Sequence, residues 1–289
     1  MSTMTADSVV HESTDEVPLG AALNAAFEGA HHGRRAAGRA LWPADGMHRD
    51  PAMGLTEARE WTLQRLKTIG AAGFGHAIQP AESSDRETLI QSLIDFETIS
   101  YGDLSVAIKS GVQHGLFGGA IAGLGNDSQQ QRFLGGALDL SVLGCFAMTE
   151  RGHGSDVSSL ETTISYDPDA GDFVVHSPHE SSAKTYIGNA AAHGQLAAVF
   201  GQLVVDGVQH GVHCILVPIR DELGAVLPGV TIGDNGHKGG LLGVDNGWIS
   251  FDSVRVPRDL LLDRFGSVNE TGRYHSSIEN PNRRFFSML

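Results

Sequence analysis

The stretch of this sequence with the clearest capacity for chemistry runs from Cys145 to Asp156. It begins as an apolar run, becomes polar at Thr149-Glu150, and continues into a loop rich in glycine and serine. This pattern predicts a strand whose end presents backbone N–H groups, a hydroxyl and a carboxylate. Such groups suit the polar rim of a planar cofactor or an acyl thioester. We therefore take this stretch as the candidate functional site.

Other common kinds of site are not supported by the residue spacing. Gly154-Ser155-Asp156 is not a nucleophile elbow, because no glycine follows two residues after the serine. Neither the dinucleotide-binding glycine fingerprint nor the phosphate-binding P-loop pattern occurs. His210 and His213 lie three apart on a predicted strand, so they are expected to face opposite ways and not to share a metal. No metal site is predicted.

Composition narrows the classes of partner. The chain has 289 residues, enough for two domains of ordinary size, and a formal net charge of −14. This acidity argues against nucleic-acid binding, which normally shows a basic patch or stripe. Cys145 and Cys214 are the only cysteines, so a reducing compartment without disulfides is predicted.

The sequence shows no targeting or membrane signal. Residues 1–10 lack a basic segment followed by an apolar one, so no secretory signal is predicted. No run approaches the ~20 apolar residues of a transmembrane helix. A cytoplasmic location is the default expectation.

The elements before the candidate site predict an all-α region. Residues 1–18 are predicted to be a disordered tail, and residues 19–139 an N-terminal helical domain. Ser84 and Glu87 fit a capping box, Asp103 is positioned to start a further helix, and Asp127 with Gln130 marks another.

A glycine-rich stretch, residues 111–123, follows the Asp103 helix start. Its glycines are spaced so that another backbone could approach closely, as in small-xxx-small helix packing. Because Lys109 and His114 interrupt the apolar run, a tightly packed helix within a soluble domain is predicted rather than a membrane helix.

The pattern changes to strands near Ser141. Alternating residues and turn signals predict a middle β domain over residues 140–272, built as a small antiparallel barrel or sandwich. Asp206-Gly207 predicts a hairpin between two apolar strands, with a loop longer than two residues. The fold class is therefore α+β. Asn280-Pro281 predicts a last helix start, so residues 273–289 are interpreted as the beginning of a truncated C-terminal helical domain.

The ordered motifs of the chain resemble those of the acyl-CoA oxidase family, within the acyl-CoA dehydrogenase and oxidase superfamily. Dehydrogenases usually show T-E-P-x-A-G-S-D, whereas here residues 149–156 read T-E-R-G-H-G-S-D, similar to the oxidases. Further oxidase-like fragments follow in order: Leu160-Glu161-Thr162-Thr163, Tyr166-Asp167-Pro168, Val217-Pro218-Ile219-Arg220, the segment 228–234, Asp245-Asn246-Gly247, and Arg255-Val256-Pro257-Arg258.

The resemblance implies FAD as cofactor and a flavin site formed by two segments. Thr149 and Gly188, which follows it thirty-nine positions later, would hold the flavin, with Met148 beside Thr149. Tyr186 stands where related proteins often carry a tryptophan against the isoalloxazine ring. A threonine offers a hydroxyl and an N–H to the ring edge, and a glycine lets the main chain approach without a Cβ.

The same resemblance implies fatty acyl-CoA as substrate. Ser155, with Gly154 beside it, would contact the thioester or the pantetheine part. The implied reaction is oxidation of a fatty acyl-CoA to the trans-2-enoyl-CoA, with O2 reduced to H2O2 in fatty acid β-oxidation. The implied full-length form is a homodimer, and the enzyme would be peroxisomal if eukaryotic.

No catalytic base is nominated in this chain. In the family the base is a glutamate of a C-terminal helical-bundle domain, which the sequence is interpreted as lacking. Glu150 is a tempting candidate, but the resemblance gives it a structural role. The chain alone is therefore expected to bind FAD weakly or not at all, and its activity alone is uncertain.

Two alternatives stay open at the level of sequence. One is an acyl-CoA dehydrogenase that passes electrons to an electron-transfer flavoprotein. The other is a non-catalytic fragment that binds acyl-CoA or acts as an interaction module, which the missing base motivates.

Overall fold

A computed structural model describes residues 18–42, 49–74 and 86–288. The predicted tail, residues 1–18, lies outside the described residues except for Pro18. Ser84 of the predicted capping box also lies outside them.

Helices make up the chain before the first strand. Within the described residues they are α1 (Leu19–Glu28), α2 (His32–Ala40), α3 (Leu55–Ala71), α4 (Arg86–Gly102), α5 (Leu104–Ser110), a π-helical segment (Gly111–Gly118), α6 (Gly119–Leu124) and α7 (Asp127–Leu138).

Two of these helix starts show how the sequence ends one helix and begins the next. The Asp103 carboxylate accepts hydrogen bonds from the backbone N–H groups of Ser105 and Val106, at 2.7 and 3.2 Å, which confirms it as the N-cap of α5. Helix α7 begins with a reciprocal capping box between Asn126 and Gln129. Asp127 is thus the first residue of α7, and the capping pair lies one residue before the predicted pair of Asp127 and Gln130.

The glycine-rich stretch forms a continuous helical run. A Cβ added to Gly115, Gly119 or Gly123 would meet no atom of the described residues within 4 Å, so none of the described backbone approaches there. The tight contact is made by Phe117, whose ring lies against Gly144, where a Cβ would collide with it. The helical run is packed through its larger side chains, and a close backbone approach at the glycines stays a prediction.

The strands form one mixed sheet and two smaller sheets. They are β1 (Gly144–Ala147), β2 (Thr163–Asp167), β3 (Asp172–His176), β4 (Lys184–Ile187), β5 (Leu196–Val205), β6 (Val208–Pro218), β7 (Val230–Asp234), β8 (Gly247–Phe251), β9 (Val254–Pro257), β10 (Ser267–Val268) and β11 (Tyr274–His275). The large sheet has the order β1-β5-β2-β3-β9, with β6 also paired to β5. Strand β4 pairs with β8, which pairs with β7, and β10 pairs with β11.

The β region is a curled mixed sheet, a half-barrel, rather than the antiparallel barrel or sandwich that was predicted. Strand β5 runs parallel to both β1 and β2, with Gly144 opposite Leu196 and Thr163 opposite Gln202. Parallel partners require long connections, and here the chain between β1 and β5 supplies β2, β3 and β4.

The longest antiparallel pair is the β5–β6 hairpin. Val205 pairs with Val208, so the turn consists only of Asp206 and Gly207, with φ of 51° and 75°. Positive φ at both positions is the backbone that a two-residue type I′ turn needs. The hairpin is confirmed, and the expectation of a longer loop was wrong.

Helices and strands share one hydrophobic core. The side chains of Phe117, Ile121 and Leu124 pack in the same buried cluster as those of β1, β5 and β6. A second cluster joins α3, α4 and α5 through residues that include Leu66, Ile69, Ile99 and Val106. The order of helices followed by sheet is confirmed, while the domain boundary near residue 140 stays a prediction.

The last helix is short and packs against the large sheet. Helix α8 (Pro281–Ser287) starts where predicted, with the Asn280 side chain accepting a hydrogen bond from Arg283 N at 3.0 Å. The buried Arg284 donates to the carbonyl of His210 on β6. Among the described residues, no helix is both long and apolar enough to span a bilayer.

Candidate functional site

The end of β1 lies beside β4, which brings two distant segments together. The carbonyl of Thr149 accepts a hydrogen bond from Thr185 N at 3.0 Å, and Glu150 pairs with Lys184 across the same junction. Thr149 is half-buried, and its hydroxyl makes no hydrogen bond among the described residues. The hydroxyl is therefore available to a ligand.

Tyr186 follows directly and presents its ring to solvent. Its side chain is 71% exposed, and its backbone has a φ of +57°. The left-handed region costs an ordinary L-residue roughly 1–2 kcal/mol, and such strain concentrates at functional sites. Asn189, three residues on, has a φ of +67°. The segment 186–189 thus begins and ends with left-handed residues that are not glycine.

Gly188 lies between them and is needed for a reason that differs from the predicted one. A Cβ at Gly188 would lie 2.7 Å from Cγ2 of Val112, which belongs to the π-helical segment. The missing side chain therefore lets the segment pack against the helices. A role for Gly188 in holding a flavin stays a prediction.

Met148 and the loop after Glu150 have contrasting environments. The Met148 side chain is buried in the shared core, and its carbonyl accepts a hydrogen bond from Lys184 Nζ at 3.1 Å. Gly154 and Ser155 lie in an exposed loop. A Cβ at Gly154 would meet nothing within 4 Å, so this chain itself does not require a glycine there. The ligand roles predicted for these three residues stay predictions.

Glu150 belongs to a closed buried network. Its carboxylate accepts hydrogen bonds from Lys184 Nζ at 2.8 Å, from Thr162 Oγ1 at 2.6 Å, and from the backbone N–H groups of Glu161 and Thr162. Glu150 and Lys184 are both almost fully buried. A carboxylate engaged in this way is not free to take a proton from a ligand, which supports the structural role given to it.

Lys184 of β4 holds the end of β1 beside its own strand. Besides Glu150, its ammonium donates to the carbonyls of Met148 and Phe200. Burial lowers the pKa of Lys184 to about 8, although Glu150 opposes this. Sequence reasoning missed this pair. A lysine that opens an apolar strand was the available signal.

A second buried cluster at the junction with the helices was also missed. Lys109 Nζ on α5 donates to Asp245 Oδ1 at 2.5 Å and to Asn189 Oδ1 at 2.6 Å, and it lies 3.0 Å from His193 Nδ1. His193 Nε2 lies 2.8 Å from a carboxylate oxygen of Glu60 on α3. Lys109 and neighbouring hydrogen bonds hold the pKa of Asp245 well below its usual range, against the effect of burial.

His210 and His213 do not face opposite ways as predicted. Gly211 has a φ of +81°, and the β5–β6 register shifts close by, so both histidines contact Tyr274. The His210 ring stacks on Tyr274 with centroids 3.8 Å apart, and His213 Nε2 lies 3.1 Å from the tyrosine hydroxyl. Among the described residues, no group of three potential metal ligands converges.

Comparison with known proteins identifies a family model and relatives that are similar to this chain in sequence. Residues 145–254 match the family model described as acyl-CoA dehydrogenase, middle domain. The chain is 47% identical over 208 residues to an acyl-coenzyme A oxidase-like protein of Mus musculus. The matched region covers 72% of this chain and 33% of that protein. It is 44% identical over 235 residues to a peroxisomal acyl-coenzyme A oxidase 3 of Arabidopsis thaliana, covering 81% of this chain and 34% of that protein.

Solved structures give the same result. The fold matches acyl-coA oxidase3 of Yarrowia lipolytica with a TM-score of 0.74 and 31% identity, over 86% of this chain and 35% of that one. It also matches an acyl-CoA oxidase-1 of Caenorhabditis elegans complexed with FAD and ATP, with a TM-score of 0.70 and 29% identity, over 88% of this chain and 38% of that one. The chain spans about a third of the length of the curated relatives it matches.

Proposed function

The chain belongs to the acyl-CoA oxidase family. We propose that it carries the residues that contact the edge of the flavin and the acyl thioester in a fatty acyl-CoA oxidising enzyme. One observation carries this proposal. The free Thr149 hydroxyl and the exposed, left-handed Tyr186 lie on adjoining strand ends, held together by the Thr149–Thr185 hydrogen bond.

The residues present fit FAD in chemical type. A flavin is tuned by hydrogen bonds to its polar edge and by the groups that cover its faces. Thr149 offers an unengaged hydroxyl for the edge, and Tyr186 offers an open aromatic face. When bound, FAD supplies the hydride acceptor of the reaction. The buried Glu150–Lys184 pair keeps the two strand ends in register beneath the site.

Ser155 and Gly154 are the residues proposed to meet the acyl-CoA. They lie on the loop that leaves β1 after Glu150, and the glycine there has no internal packing reason. The loop is tied down by the hydrogen bond from Gly152 N to Ser181 O, at 2.8 Å. A fixed loop with an open glycine allows a thioester to approach the backbone closely.

The proposed reaction is oxidation of a fatty acyl-CoA to the trans-2-enoyl-CoA, with O2 as the acceptor that yields H2O2. No base is assigned within this chain, because the Glu150 carboxylate is engaged by Lys184, Thr162 and Glu161. Several relatives are named acyl-coenzyme A oxidases, which favours O2 over an electron-transfer flavoprotein as acceptor. A homodimer and a peroxisomal location complete the proposal, the latter because two of these relatives are named peroxisomal.

The flavin site is tested by titrating the chain with FAD to millimolar concentration and following flavin fluorescence. Thr149→Ala should weaken binding about five-fold, the effect of one net hydrogen bond of about 1 kcal/mol. Thr231→Ala, on the exposed side of β7, is the matched control and should leave the affinity unchanged. If the chain alone does not bind FAD, the same variants are compared in the assembled full-length enzyme. Equal FAD affinity of Thr149→Ala and the unaltered protein would contradict the proposal.

Gly188→Val is a poor test of the flavin site, because a valine there would meet Val112 whether or not a flavin binds. Loss of FAD in that variant is therefore informative only if its urea midpoint is unchanged.

The electron acceptor is tested in the assembled full-length enzyme by acyl-CoA-dependent H2O2 formation under air. Reduction of an electron-transfer flavoprotein without peroxide would identify a dehydrogenase.

A further inference from the structure

The backbone of Tyr186 is held by a side chain from a distant loop. The carbonyl of Tyr186 accepts a hydrogen bond from Asn246 Nδ2 at 3.0 Å. Asn246 lies just before β8, and its side chain reaches across to the end of β4. This contact falls on the residue whose φ of +57° makes its conformation costly.

A lysine fixes which way the Asn246 amide points. Lys238 Nζ donates to Asn246 Oδ1, and also to the carbonyl of Val244 at 2.6 Å. An ammonium group has donors only, so the oxygen of the amide must face Lys238. The NH2 group is then left to face Tyr186, and the side chain acts as a directional link between lysine and carbonyl.

Asp245, the preceding residue, holds the other end of the same segment. Its Oδ1 accepts from Lys109, which also donates to Asn189 Oδ1 at 2.6 Å. The Asp245 carbonyl accepts a hydrogen bond from Ala191 N at 3.1 Å. The dipeptide Asp245-Asn246 therefore contacts Tyr186 directly through Asn246 and is linked to Asn189 through the shared Lys109.

The ring of Tyr186 is largely exposed. Its side chain is 71% exposed, and no contact of its ring with another aromatic ring or a cation occurs among the described residues. The backbone of Tyr186 fixes the direction of its Cα–Cβ bond, from which the ring extends. A hydrogen bond that holds this backbone therefore limits the directions that the ring can take.

We propose that Asn246 is a positioning residue that keeps Tyr186 in its left-handed conformation and so aims the tyrosine ring at the flavin. The second half of this statement rests on the proposed function. The first half concerns the chain alone. The two halves are tested by separate measurements.

Asn246→Asp is the sharpest variant. The aspartate has nearly the same shape and keeps an oxygen toward Lys238, but it replaces the donor at the Tyr186 carbonyl by a second acceptor. Asn282→Asp, on the exposed face of α8, adds the same charge and is the control. The readout is the amide spectrum of protein labelled with 15N-tyrosine. The chain has four tyrosines, and Tyr186→Phe identifies the signal of Tyr186.

The Tyr186 signal should move in Asn246→Asp while those of Tyr101 and Tyr166 stay, and none should move in Asn282→Asp. An unmoved Tyr186 signal would overturn the proposal. Should Asn246→Asp fail to fold, Lys238→Met removes the group that orients the amide. The same shift is expected in that variant, and its absence would equally overturn the proposal.

FAD titration tests whether the positioning of Tyr186 by Asn246 contributes to flavin binding. Asn246→Asp should weaken FAD binding about five-fold, as expected for about 1 kcal/mol. In a Tyr186→Ala background, the same substitution should have no further effect. If Thr149→Ala weakens FAD binding while Asn246→Asp does not, aiming of the ring at the flavin is refuted and the proposed function stands. If neither weakens it, the proposed function fails, and a displaced Tyr186 signal still supports the positioning by Asn246.

Discussion

Lys184 in the sheet and Lys109 at the junction with the helices are both fully buried, and each lies within hydrogen-bond distance of three partners. Lys184 bonds to Glu150 and to two backbone carbonyls, all supplied by β5 and by residues 148–150, which follow β1. Lys109 on α5 meets only side chains, those of Asn189, His193 and Asp245.

The difference shows what each cluster is for. The Lys184 network closes on itself within the β region and fixes the spacing of two strand ends. The Lys109 network extends outward, through His193 to Glu60 on α3 and through Asn189 to the segment that contains Tyr186. Two buried ion pairs of similar geometry thus serve as a local brace and as a connection between regions.

Removing the local brace should have the largest effect. Lys184→Met leaves Glu150 buried without its counter-charge and should lower the free energy of unfolding by about 3–5 kcal/mol. Urea denaturation measures this, and Lys67→Met on the exposed face of α3 is the control, with an effect near zero. The double variant Lys184→Met/Glu150→Gln should regain part of the loss. Equal stability of Lys184→Met and Lys67→Met would remove the basis of the comparison.

Lys109→Met should cost less, about 3 kcal/mol, because the basic side chain of His193 remains 3.4 Å from Asp245 Oδ1, whereas Lys184 is the one basic partner of Glu150 among the described residues. Hydrogen exchange followed by mass spectrometry should separate the two variants by location. Faster exchange is expected in α3 and α5 for Lys109→Met, and in β1 and β5 for Lys184→Met. The same exchange pattern in both variants would show that the two clusters do not differ in role.

His213 is a buried side chain that stays uncharged, unlike the members of the two buried ion pairs. Burial lowers the pKa of His213 to about 4, and the nearby Arg284 and His210 act in the same direction. The folded state then binds fewer protons than the unfolded state between pH 6.5 and 4, so stability is full above 6.5 and falls as the pH decreases. The loss should approach about 3 kcal/mol.

This pH dependence is measured by urea unfolding at pH 7, 5.5 and 4.5. His213→Phe should flatten the decline between these values, whereas His237→Phe, at an exposed position, should leave it unchanged. A decline of equal size in both variants would show that other groups cause it.

The smallest effect is expected at an exposed ion pair of similar length. Arg132 and Asp259 lie 2.6 Å apart, but their side chains are 58% and 62% exposed. Asp259→Asn should change the free energy of unfolding by less than about 1 kcal/mol, with any effect lost in high salt. A loss as large as that of Lys184→Met would mean that burial is not what separates these pairs.

The sequence was informative where local patterns determine structure. The Asp103 cap, the helix start at Asn280 and the hairpin at Asp206-Gly207 follow from residue type and spacing. The parallel pairing of β1 with β5 could not be foreseen, since it joins segments that are distant in sequence and leaves no local periodicity. The motif positions Thr149 and Tyr186 lie on adjoining strand ends, while their contact with a flavin stays a prediction.

The buried polar clusters mark the limit of sequence reasoning at the site. A lysine or an aspartate is usually exposed, so Lys109 and Asp245 carry no sign of burial in a single sequence, and Lys184 carries only its place at the start of an apolar strand. Gly188 illustrates a second limit. Its position followed from the spacing, but its packing against Val112 depends on a helix far away in the chain.

The two-residue turn at Asp206-Gly207 has a consequence for the order of folding. The β5–β6 hairpin closes over a minimal loop, whereas β1 must find β5 across the intervening strands, from Gly144 to Leu196. Because closing a long loop costs entropy before any contact rewards it, we expect the hairpin to form in the transition state and β1 to add later. Val204→Ala should then slow refolding, while Phe146→Leu should mainly speed unfolding. The reverse pattern would place the nucleus at β1, so the strand that carries the candidate site would form first.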